Sequence, residues 1–299
     1  GSNNDGVWNE TGTAIKIKIS PPFWQTIWFR IIAGILILSA LAFWYMSRLK
    51  NIRIKAELRT ARSAQMAIMP QQDPNVPGFD VSGICIPANT VGGDFFDYFW
   101  LNNEKSKFGI AVGDVSGKAM KSAMTAVMTS GMINANVERG FDSVMNFMTS
   151  LNHPIFAKTD KKMFIALCLA SLDIQSRELI FSNAGLIEPI LVRDKSVRRI
   201  KSIGSKYPLG LVKFNSYEQK KIRLKSGDTL FFITDGVPEA HNLSRKLYGE
   251  TRVTELLQNL DTSALSASDI KSKIIEDVKK FSGKAPQHDD MTVVVVKCI

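Results

Sequence analysis

The chain has 299 residues, enough for one large domain or two ordinary ones, and its 45% apolar and 22% charged residues are the composition of a folded protein rather than a disordered one. Its 20 glycines and 11 prolines exclude collagen-like and proline-rich chains, and three widely spaced cysteines, Cys85, Cys168 and Cys298, exclude a zinc ribbon and a disulfide scaffold. The net charge of +10 invites a nucleic-acid reading, but residues 1–69 hold nine Lys/Arg against three Asp/Glu while the other 230 residues hold 29 against 25. The excess is therefore concentrated in one short stretch, no aromatic–basic interleaving supports the reading elsewhere, and no nucleic-acid partner is expected.

The chain opens Gly1-Ser2-Asn3 without an initiator Met, which suggests a piece of something longer. Ala14–Ile19 alternates like a half-buried strand, and Pro21-Pro22 ends it. A lone strand is unstable, so this reads as the last strand of an outer domain. The string DGVWNE at Asp5–Glu10, this strand and the PPFWQTIWFR that follows resemble the end of the extracytoplasmic β-sandwich found after propeller repeats in bacterial membrane sensors. Residues 1–22 are accordingly expected to end a sensor domain.

Residues 24–46 form the next segment. Ile27–Met46 is a run of 20 residues with Arg30 as its only charge, about 30 Å long as a helix and enough to cross a bilayer core. Trp24 and Trp28 mark one end and Trp44 and Tyr45 the other, as in an aromatic belt. The run is too long for a signal peptide and no A-x-A-like site follows. Arg48, Lys50, Arg53, Lys55, Arg59 and Arg62 follow, which places the downstream side in the cytoplasm by the positive-inside rule. The expectation is a single-pass protein of the inner (cytoplasmic) membrane. Residues 47–69 contain no Pro or Gly and read as a helix. Ile54, Leu58, Ala61, Gln65 and Ile68 space out a weak coiled-coil seam, which predicts a homodimer through this helix; its basic charges equally suit contact with anionic lipid.

Residues 70–299 form the cytoplasmic domain. Strands are predicted at Phe79–Ile86, Lys107–Asp114, Met163–Asp173, Glu178–Asn183, Pro189–Arg193, Thr229–Thr234 and Met291–Lys297, and helices at Lys118–Val137, Phe141–Ala157, Arg245–Leu260 and Ser266–Phe281. The elements do not alternate strictly, so the class is α+β rather than a doubly wound parallel sheet. Acidic residues stand at strand ends: Gly92-Gly93-Asp94, Gly113-Asp114 after FGIAV, Asp235-Gly236 after LFFIT, and Asp289-Asp290 before VVVV. A single Asp-Gly is usually a turn. Four of them at strand ends could converge into an oxygen-rich cluster, which suits Mg²⁺ or Mn²⁺ and not zinc.

In order along the chain stand VGGDFFD (Val91–Asp97), GDVSGK (Gly113–Lys118), SNAG (Ser182–Gly185), YPLG (Tyr207–Gly210), SGDTLFFITDGVPEA (Ser226–Ala240), LYG (Leu247–Gly249) and HDDMTVVVVK (His288–Lys297). With these strings the sequence resembles the PPM-type protein serine/threonine phosphatases in their bacterial SpoIIE/RsbU branch, over roughly residues 56–299. The resemblance implies a four-layer α-β-β-α sandwich and a centre of two divalent cations, Mn²⁺ or Mg²⁺. It implies that Asp114 bridges both ions, Val115 offers its carbonyl, Asp235 and Asp289 hold one ion, and Asp94 serves the other. Asp289 is preferred to Asp290 because the family places its ligand first in the pair. Two such ions can lower the pKa of a shared water and neutralise phosphoryl charge, so hydrolysis of phosphoserine or phosphothreonine needs no Cys or Ser nucleophile. Ser116 reads as a turn residue.

Relatives in this branch act on small anti-anti-sigma (STAS) proteins, which makes a phosphorylated protein of that kind the expected partner. Two departures from the family pattern are Ala119, where Gly is frequent, and Leu186, where His is frequent. No Arg suggests itself for binding phosphate. His288, beside Asp289, could act in proton transfer or as a plain surface residue. Met120, Met124, Met128 and Met132 recur every four residues and predict a stripe facing the core or the substrate. GGDFF superficially resembles the diguanylate cyclase signature, but Phe96 replaces its acidic residue. The remaining alternative is a catalytically degenerate phosphatase-fold scaffold.

Overall fold

The computed structural model describes residues 2–8, 10, 12, 15–117 and 120–299, and of Lys55 the backbone alone. It divides into two compact units, Gly1–Ala56 and Glu57–Ile299. In the first, a short 3₁₀ turn at Phe23–Gln25 leads into α1, Ile27–Ala67, a continuous helix of 41 residues whose last turns belong to the second unit. The run of β-branched and aromatic residues that makes its first half apolar also leaves Trp28, Leu38 and Trp44 exposed, and Arg48 lies 5.3 Å from the Trp44 ring. One stretch of α1 is long and apolar enough to cross a membrane by length and composition. The strand expected at Ala14–Ile19 is not found: Ala14 lies outside the described residues, and Ile15–Ile19 has no strand and is exposed. Alternation alone cannot hold a strand that has no neighbour to pair with.

The second unit contains two antiparallel sheets. The strands are β1 (Asn75–Val76), β2 (Phe79–Ile86), β3 (Phe95–Trp100), β4 (Lys107–Val115), β5 (Ile165–Asp173), β6 (Glu178–Ala184), β7 (Ile190–Arg193), β8 (Ser196–Arg199), β9 (Lys220–Arg223), β10 (Thr229–Ile233) and β11 (Met291–Cys298). The first sheet runs β1-β2-β11-β10-β7-β8 and the second β3-β4-β5-β6-β9. The four helices after α1 are α2 (Met120–Arg139), α3 (Val144–Lys158), α4 (Gly249–Asn259) and α5 (Ala267–Ser282). Helices α2 and α3 cover the second sheet; α5 lies on β2 and β11 of the first, and α4 on β8. This is the α-β-β-α sandwich.

The burial pattern explains the VVVV run. In β11, Val294 and Val296 join the core between the sheets with Phe95, Phe108 and Phe181, while Val293 and Val295 turn to a second core with Ile270 and Ile274 of α5. A central strand covered on both faces has no polar face to alternate with. The four strands absent from the sequence reading are short or atypical. In β3, FFDYFW is aromatic on both faces. In β8 and β9, SVRR and KKIR carry charge because they are the open edges of their sheets. Helix α4 begins at Gly249, four residues later than predicted, because Asn242–Lys246 closes a turn that returns Tyr248 N–H to the Ala240 carbonyl. Helix α3 begins after Ser143, whose hydroxyl caps Asn146 N–H.

The methionine stripe of α2 is not its core face. That face is built of Ser122, Ala123, Ala126, Thr129, Ser130 and Ile133, while Met124 is exposed. Small residues let the helix sit close to β3 and β4, and the longer methionines are displaced to its flanks.

Candidate functional site

The four predicted carboxylates arrive from both sheets. Asp94 immediately precedes β3 and Asp114 is the penultimate residue of β4; Asp235 stands two residues beyond β10 and Asp289 two before β11. Register brings each pair together, since Phe95 pairs with Gly113 in the second sheet and Ile233 with Val293 in the first. The two pairs are tied across the sheets by threonines. Thr234 and Thr292 each donate a hydroxyl hydrogen bond of 2.7 Å to one oxygen of Asp94, and Thr292 N–H donates to the Thr234 hydroxyl at 2.9 Å. Asp94 is buried beneath this grip.

Asp290 has a different task from Asp289. Its carboxylate accepts from Ala88 N–H at 2.7 Å, Gly93 N–H at 2.6 Å and Asp94 N–H at 3.3 Å, so it clasps the loop before β3 to the start of β11. That approach requires glycine at two points. A Cβ on Gly92 would fall on the Asp290 carboxylate, and one on Gly236 would fall on the Asp290 carbonyl. Asp289 is exposed, and the only bond its carboxylate makes among the described residues is from Asp290 N–H. The family's ligand choice thus falls on the unburdened member of the pair.

A cleft of about 570 Å³ opens at this end of the sandwich. Asp114, Val115, Asp289 and Asp290 line it with the Ala88–Gly93 loop, Leu58 of α1, Ser122 of α2 and His288. Asp94 and Asp235 are not among the residues that line it, but the other three expected acids all act on Asp114. Burial first, then the charge of Asp114, holds Asp94 well above the usual carboxylate range. Burial, followed by the charges of Asp235, Asp289 and Asp290, pushes Asp114 to about 7, and the two carboxyls share a hydrogen bond. Burial, then Asp289 and Glu239, pushes Asp235 to about 6.

The leading influences on these three acids include no Lys or Arg. Among the described residues, no three His, Cys, Asp or Glu side chains are gathered around a single ion-sized point. The carboxylates are close enough to suppress one another's ionisation without forming a closed shell. Among the described residues no Lys or Arg is a leading influence on these acids, and the all-oxygen donor chemistry fits a hard divalent cation.

Other expectations resolve as follows. Ser116 has a structural role next to β5 rather than the turn expected: its hydroxyl accepts from Phe164 N–H at 2.8 Å and its N–H donates to the Phe164 carbonyl at 2.9 Å. Leu186 is buried in the core, and the Asn183 side chain brackets its backbone through bonds of 3.0 and 2.8 Å. A catalytic side chain has no place there. His288 meets His241 edge-on with ring centroids 5.5 Å apart. Lys118 and Ala119 lie outside the described residues. Sequence reasoning did not single out Thr234, Thr292 and Asp290, although all three sit inside the ITDG and DDMT strings.

The profile of the family described as Stage II sporulation protein E (SpoIIE) matches residues 104–299. Phosphoserine phosphatase RsbU of Bacillus subtilis is 24% identical over 245 residues, covering 82% of this chain and 70% of that protein. The chain spans between 24% and 70% of the length of the curated relatives it matches. Among solved structures, the SiaA-PP2C domain of Pseudomonas aeruginosa aligns with a TM-score of 0.70 at 20% identity, over 83% of this chain and 98% of that one. RsbX in complex with magnesium aligns with a TM-score of 0.56 at 13% identity, over 76% and 99%. These two likenesses establish the PP2C-type fold.

Proposed function

The chain belongs to the SpoIIE family, and from that premise we propose that it is a metal-dependent protein serine/threonine phosphatase anchored in the cytoplasmic membrane. The observation that carries this reading is the convergence of strand-end carboxylates from two sheets on Asp114, which lines the cleft with Asp289, with no Lys or Arg among the leading influences on Asp114 in the described residues. Asp114, Asp235, Asp289 and Asp94, with the Val115 carbonyl, would hold two divalent cations, Mn²⁺ or Mg²⁺. When bound, such ions activate a water and neutralise charge on the phosphoryl group. The chain's own part is placement. Thr234 and Thr292 fix the orientation of Asp94, Asp290 fixes the loop that carries it, and Leu58 and the Ala88–Gly93 loop wall the cleft around a phosphorylated side chain.

The apolar half of α1 supports a single-pass anchor over residues 24–46, and the basic residues after it support a cytoplasmic catalytic domain. Residues 47–69 would pair in a homodimer, and residues 1–22 would end an outer sensor region. The relationship to a phosphoserine phosphatase supports a phosphorylated partner-switching protein of the STAS type as substrate. Asp114→Asn and Asp235→Asn should each reduce Mn²⁺-dependent hydrolysis of a chromogenic phosphomonoester by about 100-fold or more, since losing a ligand to the cations should cost at least as much as losing a partner that orients one. In the cell, the same variants should leave a small STAS protein phosphorylated on serine. Near-wild-type turnover in both would remove the metal-site reading, and metal binding without turnover in the wild type would indicate a scaffold.

A further inference from the structure

Helix α1 does not end in solvent. Gln65, two residues before its last residue, is 1% exposed. Its side-chain amide donates to the Gly92 carbonyl at 2.7 Å, and its carbonyl oxygen accepts from Gly92 N–H at 3.2 Å. One side chain thus satisfies both backbone polar groups of a buried residue, in the manner of a neighbouring strand. Gly92 is followed by Gly93 and Asp94, whose N–H groups donate to Asp290. The loop is therefore gripped on one side by an acid from the start of β11 and on the other by an amide from α1. The Gly93 carbonyl accepts from Val115 N–H at 3.3 Å, which connects the same loop to the end of β4. Gln71 caps the end of α1 by donating to the Met66 and Met69 carbonyls at 2.6 and 2.9 Å, and Met69 is buried, so Gln65 is held in place from its own side.

We propose that Gln65 is a positioning residue for the metal site: its pairing with Gly92 sets the Ala88–Asp94 loop so that Asp94 stands where a divalent cation needs it. The inference rests on the phosphatase reading above. Gln65 touches neither substrate nor any of the proposed ligands, and it acts through the loop.

The test uses the full chain in detergent. Gln65→Met keeps the length of the side chain and removes both hydrogen bonds, and Asp114→Asn is carried alongside. Mn²⁺ affinity is measured by calorimetry, and phosphomonoester turnover is followed across a Mn²⁺ titration. Gln65→Met should weaken Mn²⁺ binding by about 10-fold or more, the range seen when a partner orienting a metal ligand is lost. KM for the phosphomonoester should stay within about 2-fold, and kcat should recover at saturating Mn²⁺, since the ligands themselves are intact. A role in stability alone would lower the melting temperature and leave Mn²⁺ affinity unchanged, which overturns the proposal. If Asp114→Asn also retains metal binding and turnover, the reading of the site fails rather than that of Gln65. If Gln65→Met does not fold, amide exchange in the wild type decides. Gly92, Gly93 and Asp94 should exchange slowly and slow further with Mn²⁺, whereas exchange as fast as in exposed loops overturns the inference.

Discussion

Asp289 and Asp290 are chemically identical neighbours with opposite duties. Asp290 spends both oxygens on three N–H groups, so Asp290→Asn turns one acceptor into a donor facing a buried N–H, at a cost of about 1–3 kcal/mol. Asp289→Asn changes an exposed side chain and should leave the melting temperature within about 1 °C while weakening Mn²⁺ binding. Thermal unfolding and metal titration of the pair check this, and equal destabilisation by both would show that the duties are shared. Titration gives a second residue-scale expectation. Unfolded aspartates ionise near about 3.9, while in the metal-free fold Asp235 holds its proton to about 6 and Asp114 to about 7. Between these values the native state keeps protons that the unfolded state has lost. Their contribution is thus fully favourable below about pH 4 and declines as pH rises through 6 and 7. In EDTA the melting temperature should be lower at pH 8 than at pH 5, and Mn²⁺ should raise it more at pH 8. A metal-free melting temperature that is flat or rising over that range would contradict the burial of these acids. The four candidate carboxylates were legible because an Asp at a strand end is a local signal, and three of the four stand beside Gly. Thr234, Thr292, Asp290 and Gln65 were not, because their partners lie 27 to 202 residues away.

At the scale of elements, periodicity found the long strands and all the main helices, and failed where another demand on the residues was stronger. The β3 strand reads as an aromatic cluster because both of its faces are covered, and β8 and β9 read as charged loops because they are sheet edges. The membrane-type run and residues 47–69, which no Pro or Gly separates, are one helix from Ile27 to Ala67. We propose that residues 47–69 pass a signal from the membrane side to the site, and the continuity of α1 gives that role a direct test. Insertion of one to four residues after Arg62 turns the downstream helix by about 100° per residue. Gln65 and Leu58, which meet the site, would change their relative phase. Phosphatase activity in membranes should vary with that phase, and equal activity across the series would reduce residues 47–69 to a tether.

Across the whole molecule the charge is less evenly spread than the totals for the two regions imply. Residues 193–225 hold eleven Lys/Arg against Asp194 and Glu218, a net of +9, so the rest of the catalytic region is acidic. This stretch begins in β7 and contains β8 and β9, the outermost strands on that side of both sheets. Lysine and arginine on an open edge discourage pairing with a strand of another molecule. The opposite sign accumulates at the cleft, where carboxylates are concentrated. The net charge that first suggested nucleic acid is thus divided between the basic stretch after the apolar half of α1 and two guarded sheet edges.

The central position of β11, between β2 and β10, makes the site a late product of synthesis. Asp94 and Asp290 are 196 residues apart in the chain and meet in one hydrogen bond. At about 5–20 residues per second, a ribosome needs roughly 10–40 s to travel from one to the other. During that interval Asp94, Asp114 and Asp235 are made, β2 has an unpaired inner edge, and the hydrogen bonds from Asp290 that fix the Ala88–Asp94 loop cannot form. On the proposed reading a nascent chain would have no complete metal site until residues 289–298 arrive, and until then β2 presents an open inner edge to mispairing.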